Sequence, residues 1–579
     1  MGHTFALGKY GEAVSSALDM FQKERAVARL WDKDATLWKS EPEHVKIIQN
    51  SLGWLRVVDE LRPHANELEA FGNDLSGPGF SHVVLMGMGG SSLCTEVLCR
   101  TFVPMSGHPL LMVLDSTVPA TIRRIEGAID PAHSLFIVAS KSGTTTEPSV
   151  FYSYFFDVVE KTKGPNAGEN FLAITDPGTL MEAQAQRDTF RRIFLNPSDI
   201  GGRYSALSYF GMVPAALMGL DVATILDRAK VAMELCGPKT PVRQNPGAAL
   251  GAALGALATQ GRNKVTLITP APFDALGLWI EQLIAESTGK EGTGILPVAG
   301  ESLSVPGVYG DDRVFVQIRL PDRPGVEEHP VLQALVEAGH PVIDLVVTDV
   351  TDLSAEFFRW EVATALAGKV LGINPFDQPN VQESKDNTKA LLNDFKEKGT
   401  LGEPETVASF ENLTLRADPG NKATLEPAVR GKSGREAFVA CLKAHFDRVK
   451  PGDYIAITQY VDELEGRDET LQVLRTFLRD TLKVATTTGY GPRFLHSTGQ
   501  FHKGGPDTGV FLQLTADDGK DVPIPGQPFG FATLVKAQAR GDLQSLTSRH
   551  RRAINLDLGP DVDLGLKRLL TLIKEAVAK

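Results

Sequence analysis

Over the first 60 residues, apolar side chains recur at helical spacing, through Ala13, Leu18, Phe21 and Val27, then Leu37 and Trp38, and on through 47–57. This spacing predicts an N-terminal helical arm over 1–60, with no chemistry of its own. From about residue 80 the pattern changes to short apolar runs at 83–86, 110–114, 135–139 and 171–175, each followed by a turn signal and an amphipathic stretch. Such runs read as parallel strands buried on both faces, which need no polar alternation. A second series occupies 265–269, 314–318 and 342–347, resumes at 454–458, and ends with 482–486 and 510–514. The expected fold is α/β: two three-layer α/β/α domains with mainly parallel sheets, at 61–230 and 231–385, the second continued by 452–579. Between them, 386–451 is charge-rich and helical in pattern, broken at Pro404, Pro419-Gly420 and Gly431-Lys432-Ser433-Gly434, and reads as a helical insertion, a surface excursion from the second sheet. The two series suggest a diverged duplication, although no residue-level repeat of fixed period accompanies them.

Composition narrows the function classes. The 579 residues are 42% hydrophobic and 22% charged, close to globular averages, so no disordered or fibrous chain is signalled. The net charge of −12, without a long basic run and with 7% aromatics, argues against a nucleic-acid partner. An acidic ligand must then be held by a local concentration of donors, such as oriented backbone N–H groups. The four cysteines (Cys94, Cys99, Cys236, Cys441) form no CxxC, so neither a disulfide framework nor a thiolate metal site is expected. No secretory h-region and no apolar run of ~18 residues is present, which predicts a cytoplasmic protein without membrane contact.

Two strand ends carry chemistry. Val83-Val-Leu-Met-Gly87-Met-Gly89-Gly90-Ser91-Ser92-Leu93 runs from an apolar strand through small residues into a helix, where glycines admit a ligand and helix N–H groups favour an anion. It is neither a dinucleotide fingerprint nor a P-loop, and a plain strand–helix turn accounts for it equally well. Ile137-Val-Ala-Ser140-Lys141-Ser142-Gly143-Thr144-Thr145-Thr146-Glu147 places five hydroxyls and a lysine at a helix start. A simple N-cap needs one hydroxyl; this set can surround the oxygens of a phosphate.

Together these turns resemble the sugar isomerase (SIS) domain that binds phosphosugars. Downstream, Ser198-Asp-Ile-Gly201-Gly202-Arg203-Tyr204-Ser205-Ala-Leu-Ser208 is similar to the GGR[FY]S signature of the glucose-6-phosphate isomerase family, and Phe376-Asp377-Gln378-Pro-Asn-Val381-Gln-Glu-Ser-Lys385 to its second signature. Between them, Ala285-Glu286-Ser287-Thr288-Gly289-Lys290 resembles the family's active-site glutamate segment. The match runs from about residue 80 to 385. It implies two SIS-type domains, a homodimer whose site lies between subunits, no cofactor and no metal, and a phosphosugar substrate. The implied reaction interconverts glucose 6-phosphate and fructose 6-phosphate, a step of glycolysis and gluconeogenesis.

That reaction opens a sugar ring and moves a proton between C1 and C2 through a cis-enediol(ate). It needs a carboxylate base, a cation near the developing oxyanion, and groups that open the ring. By resemblance Glu286 is the base, Arg203 stabilises the enediolate, and Lys385 assists ring opening. Ser140, Lys141, Ser142, Thr145 and Gln378 bind the phosphate, and Gly90 and Ser91 lie beside the sugar. From the residues alone, Glu286 and Lys385 read as surface side chains and Arg203 as a structural salt bridge. Leu283, Ile284 and Ala285 suggest an apolar setting for the Glu286 carboxylate, which would raise its pKa.

The family's ring-opening histidine follows the active-site glutamate, yet Val308-Tyr-Gly310-Asp-Asp-Arg-Val-Phe-Val-Gln-Ile contains none. Instead His496-Ser497-Thr498-Gly499-Gln500 resembles the HSxGQ segment of bacterial members, displaced toward the C-terminus as in the isomerase half of transaldolase/glucose-6-phosphate isomerase fusion proteins. His496 is the candidate, ahead of His502, His329 and His340. His496 and His502 are six apart, but no nearby carboxylate completes a metal site. Asn380 and Gln382 replace the usual Gly and Glu of the second signature. An isomerase that also accepts mannose 6-phosphate would share all these residues, whereas a non-catalytic SIS regulator that senses a phosphosugar would need the phosphate loop but not Glu286, Arg203 and Lys385.

Overall fold

Continuous apolar runs become strands covered on both faces. In the computed structural model, which describes residues 2–77, 79–269, 271–320, 331–517 and 519–578, the run Ser134–Ala139 is buried at every position. The strands are β1 (Gly2–Ala6), β2 (His82–Met86), β3 (Leu110–Leu114), β4 (Ser134–Ala139), β5 (Phe171–Thr175) and β6 (Arg192–Leu195). They continue with β7 (Lys264–Ile268), β8 (Leu296–Val298), β9 (Arg313–Arg319) and β10 (Val342–Val346). The C-terminal third adds β11 (Glu405–Phe410), β12 (Leu413–Ala417), β13 (Tyr454–Tyr460), β14 (Ala485–Tyr490), β15 (Gly509–Thr515) and β16 (Arg552–Asp557).

Among the described residues these strands form three sheets, so the fold is α/β with mostly parallel sheets. The first, in the order β3-β2-β4-β5-β6, is parallel throughout. Its strand order reverses between β2 and β4, and in open α/β sheets ligands bind outside the carboxyl ends of the strands at such a point. The second, β1-β10-β9-β7-β8, is parallel except for β1, which pairs antiparallel with β10. The arm over 1–60 is therefore helical after an initial strand.

The third sheet, β11-β12-β16-β15-β13-β14, corrects the expectation that the strands beyond residue 452 complete the second. Alternation of strand and helix specifies a layer but not its neighbours, and the second sheet already ends in the antiparallel β1 on one side. The third sheet has its own core, with Ile455, Ile457, Leu512 and Ile554 at its centre. The segment 386–451 is likewise not purely helical. Its β11–β12 hairpin turns through Glu411-Asn412, with Glu411 at φ 52°, and β12 pairs antiparallel with β16. Charge on the exposed face of this hairpin masks its period in the sequence.

An aromatic string from the N-terminal arm supports the junction of the first two sheets. Trp54 stacks on Tyr204 at 5.3 Å, Tyr204 meets Phe376 at 5.3 Å, and Trp38 packs edge-on against Phe376 at 5.1 Å. Among the described residues no helix is long and apolar enough to cross a membrane.

Candidate active site

The turns after β2 and β4 flank the point where the first sheet reverses its strand order, and they form one wall of a cleft of about 1230 Å³. Gly90, Ser91, Lys141, Ser142, Thr145, Arg203, Glu286, Gln378, Lys385 and His496 all line it. Ser140 does not. It is buried behind the turn, where its hydroxyl donates to Thr145 Oγ1 at 3.3 Å.

The helix Thr146–Lys163 begins at Thr145, whose side chain makes no cap hydrogen bond, so its first N–H groups and dipole remain available to an anion. Ser142 and Thr144 are exposed and share a 3.0 Å hydrogen bond between their hydroxyls. The Lys141 ammonium is engaged elsewhere: it pairs with Asp176 and donates to the Ser198 carbonyl at 2.9 Å. Its charge reaches the cleft partly neutralised.

Arg203 is 3% exposed and held from several sides. Its Nε donates to Ser287 Oγ at 2.7 Å, and its other nitrogens to Gln378 Oε1 at 2.9 Å and to the carbonyls of Pro375 and Asp377 at 2.8 and 3.0 Å. Glu286, on the helix Leu276–Thr288, brings Oε1 to 3.3 Å from the guanidinium. Its Oε2 accepts from Gln282 Nε2 at 3.1 Å, and the same nitrogen donates to the His496 carbonyl at 2.7 Å. The apolar setting expected for this carboxylate is therefore not what surrounds it: its nearest partners are a guanidinium and an amide, while Ala285 turns into a separate apolar cluster with Leu296 and Val298. Nearby, Lys290 pairs with Asp377 at 2.6 Å, and burial draws its ammonium down to about 8 despite that partner.

His496 arrives from beyond the carboxyl end of β14, on the third sheet, in the short helix Arg493–His496. Its backbone fits against Gly89, where a Cβ would lie 3.0 Å from His496 Cβ and 2.7 Å from Gln282 Nε2. Its Nε2 faces Glu147 Oε1 at 3.3 Å, and Glu147 is 5% exposed. Burial pushes the Glu147 carboxyl up, but the charge and hydrogen bond of His496, its own backbone N–H and the charge of Lys385 hold it below the ordinary glutamate value. Lys385 is exposed on the helix Pro379–Lys398. The other histidines lie elsewhere. His502 is buried against Tyr454, whose hydroxyl is 2.8 Å from Nδ1, and His340 lies beside Arg262. His329 falls outside the described residues.

Several contributors escape the sequence reading. Glu147 stands where an acidic residue reads as a helix-dipole partner, and only its burial against His496 distinguishes it. Gln282 shares a helix face with Glu286 at a four-residue spacing, a signal available once Glu286 is chosen. The N-terminal arm, expected to be without chemistry, contributes Glu43, Lys46, Asn50 and Ser51 to the rim. The departure at Asn380 has a partner: its N–H and side-chain oxygen bond the two ends of the Gln500 amide, at 2.9 and 2.8 Å.

Comparison with known proteins finds similar chains. The family model described as Phosphoglucose isomerase matches residues 55–296, which include both hydroxyl-rich turns, Arg203 and Glu286. The glucose-6-phosphate isomerase of Leptospira interrogans is 26% identical over 424 residues, covering 66% of this chain and 93% of that protein. That of Clostridium novyi is 28% identical over 365 residues, covering 54% and 79%. Among solved structures, a glucose-6-phosphate isomerase from Chlamydia trachomatis aligns with a TM-score of 0.54 at 17% identity, over 68% of this chain and 89% of that one. A hypothetical protein from Thermus thermophilus aligns with 0.57 at 24% identity, over 67% and 99%; both show the same fold. With the fold, the signatures and these relatives in agreement, the chain is similar to phosphoglucose isomerases, most directly over residues 55–296.

Proposed function

We propose that this enzyme interconverts glucose 6-phosphate and fructose 6-phosphate by opening the sugar ring and moving one proton between C1 and C2. The observation that carries the reading is the Glu286–Arg203 pair, a carboxylate 3.3 Å from a buried guanidinium, facing the hydroxyl-rich helix start across one cleft. A base beside a fixed cation suits a reaction whose intermediate is an enediolate.

The phosphate docks at Ser142, Thr145 and the start of the helix Thr146–Lys163, with Lys141 and Gln378 beside it; Ser140 braces Thr145, and Gly90 and Ser91 lie along the sugar. His496, backed by Glu147, and Lys385 exchange protons with the ring oxygen and the anomeric hydroxyl, giving the open chain. Glu286 takes the proton from C2 of the aldose while the charge moves to O1, and Arg203 holds that charge. A proton passes from O2 to O1 across the cis-enediolate, and return of the abstracted proton from Glu286 to C1 completes the ketose. Hydrogen bonds to four acceptors hold the guanidinium in place, so it need not reorganise as charge develops.

The enzyme acts in cytoplasmic hexose phosphate metabolism, in glycolysis and gluconeogenesis. All the residues given roles come from one chain, so the homodimer implied by family resemblance is not needed to complete the site.

The test is turnover of fructose 6-phosphate by the purified chain, coupled to glucose-6-phosphate dehydrogenase, beside Glu286→Gln. General base catalysis contributes roughly 10²–10⁴-fold, so the variant should lose at least about 10²-fold in kcat while still binding the phosphosugar. A wild type that binds but does not turn over refutes the reading in favour of phosphosugar sensing.

A further inference from the structure

Beyond the side chains that line the cleft, the structure assigns a positioning role to Gln538 and Thr117, which together orient the Glu147–His496 pair and set the histidine tautomer. The inference rests on the isomerase reading above, because it concerns the ring-opening pair.

Gln538 lies on the helix Phe531–Thr547, packed between the first and third sheets, and is buried. Its Nε2 donates to Glu147 Oε1 at 2.7 Å, the oxygen that faces His496 Nε2 at 3.3 Å. Its Oε1 accepts from the hydroxyl of Thr117, fully buried beyond β3, at 2.6 Å. Turning the amide over would set an amide oxygen 2.7 Å from a carboxylate oxygen, acceptor against acceptor. The Thr117 hydroxyl can donate only if the amide oxygen faces it, so each bond requires the other.

An ionised Glu147 has no proton to give, so the nitrogen facing it carries the hydrogen: His496 is held as the Nε2–H tautomer. Nδ1 is then the basic nitrogen left for the substrate. The titratable and charged groups facing Glu147 are His496, from the short helix beyond β14, and Lys385, from the helix Pro379–Lys398. Gln538 is the neutral donor among them. Without it the carboxylate loses a hydrogen bond to its charged form in a buried setting, and its affinity for a proton rises. A protonated Glu147 no longer fixes the ring.

Gln538→Met keeps length and volume but loses the donor; Thr117→Val keeps shape but loses the lock; Thr117→Ser restores it. The assays are the pH profile of kcat/KM on fructose 6-phosphate and deuterium exchange at C1 of 5-deoxyfructose 6-phosphate, which lacks the hydroxyl that closes the ring. In Gln538→Met the acid limb on fructose 6-phosphate should move up by about one pH unit, with about tenfold loss below it, as expected for a lost hydrogen bond to a charged group. Exchange on the open-chain compound should stay within about twofold, because no ring is opened. Thr117→Val should move the limb in the same direction by less, and Thr117→Ser should leave it in place. An unmoved limb in both Gln538→Met and Thr117→Val, or equal losses on the two compounds, overturns the proposal. Should the wild type fail to turn over either compound, the isomerase reading falls instead. The relay is then judged from the ¹⁵N shifts of the His496 ring, where an Nε2–H tautomer lost in Gln538→Met supports it and the same tautomer in both proteins overturns it.

Discussion

Replacing Gly90 by alanine tests whether the closest backbone contact in the cleft positions the cation. A methyl built on Gly90 would lie 1.9 Å from the Gly202 carbonyl oxygen, 2.2 Å from its carbon and 2.8 Å from the Arg203 nitrogen. Ordinary contact needs about 3.4 Å, so the two backbones must part by roughly 1.5 Å; neither is a flexible side-chain end, and overpacking of this kind costs about 1–3 kcal/mol. The displaced segment carries Arg203, whose hydrogen bonds to Ser287 and Gln378 hold the guanidinium where the proposed mechanism needs its charge. A shift of about 1 Å at a catalytic group can cost about 10²-fold, so Gly90→Ala should lower kcat for fructose 6-phosphate by that order. Phosphate binding at the turn after β4 should weaken less. Gly202→Ala is the stability comparison, because its methyl meets nothing within 4 Å and its thermal midpoint should match the wild type. If Gly90→Ala keeps kcat within about threefold, Arg203 does not depend on this contact for its position and the reasoning fails.

Removing the imidazole in His496→Ala should cost more on fructose 6-phosphate than on an open-chain analogue; equal losses would place the histidine outside ring opening. Glu281, buried one turn before Glu286, has its carboxyl raised to about 8 by burial, only partly offset by Arg475, Arg493 and Ser497. The unfolded chain gives up this proton near 4.5 while the native state keeps it to about 8, so the site reduces stability progressively as pH rises through that window and adds no penalty below it. Glu281→Gln should therefore stabilise by at most about 3 kcal/mol at pH 7 and not at pH 4, read from denaturation midpoints at both; the same gain at both values rejects this account. Because the assigned groups come from one chain, specific activity should stay constant on dilution, and activity that falls in step with any dimer followed by light scattering contradicts a site completed in cis.

The strands of the first sheet were legible because burial on both faces leaves an uninterrupted apolar run, as in Ser134–Ala139. The turns after β2 and β4 were legible because they hold more hydroxyls than a helix cap needs. What sequence does not encode is which strands share a sheet. The series beyond residue 452 looks the same whether it extends β7–β10 or begins another layer, and only the hairpin β11–β12, closing against β16, separates the two outcomes. The same limit applies to the side chains behind the cleft. Thr117, Glu147 and Gln538 are an ordinary hydroxyl, a first-turn acid and a mid-helix amide until packing closes them into one chain of hydrogen bonds. Lys141 shows the converse: its type and place suit phosphate, yet its ammonium is tied to Asp176.

The displaced histidine is the strongest case for treating the site as a docking geometry rather than an order along the chain. His496 reaches the cleft because the segment after it is seated on elements far away in sequence. The buried Gln500 amide bonds the Asn380 backbone and side chain and the Gly289 carbonyl, fixing the segment to the starts and ends of the helices that carry Lys385 and Glu286. Lys503 pairs with Asp542 at 2.6 Å on the helix that also carries Gln538. A Gly at position 380 would supply only the backbone N–H; Asn adds an acceptor for the buried Gln500 Nε2. The altered residue in the second signature and the relocated histidine segment are thus two halves of one contact. A departure that looks like erosion of the motif is the means by which the third sheet delivers its imidazole.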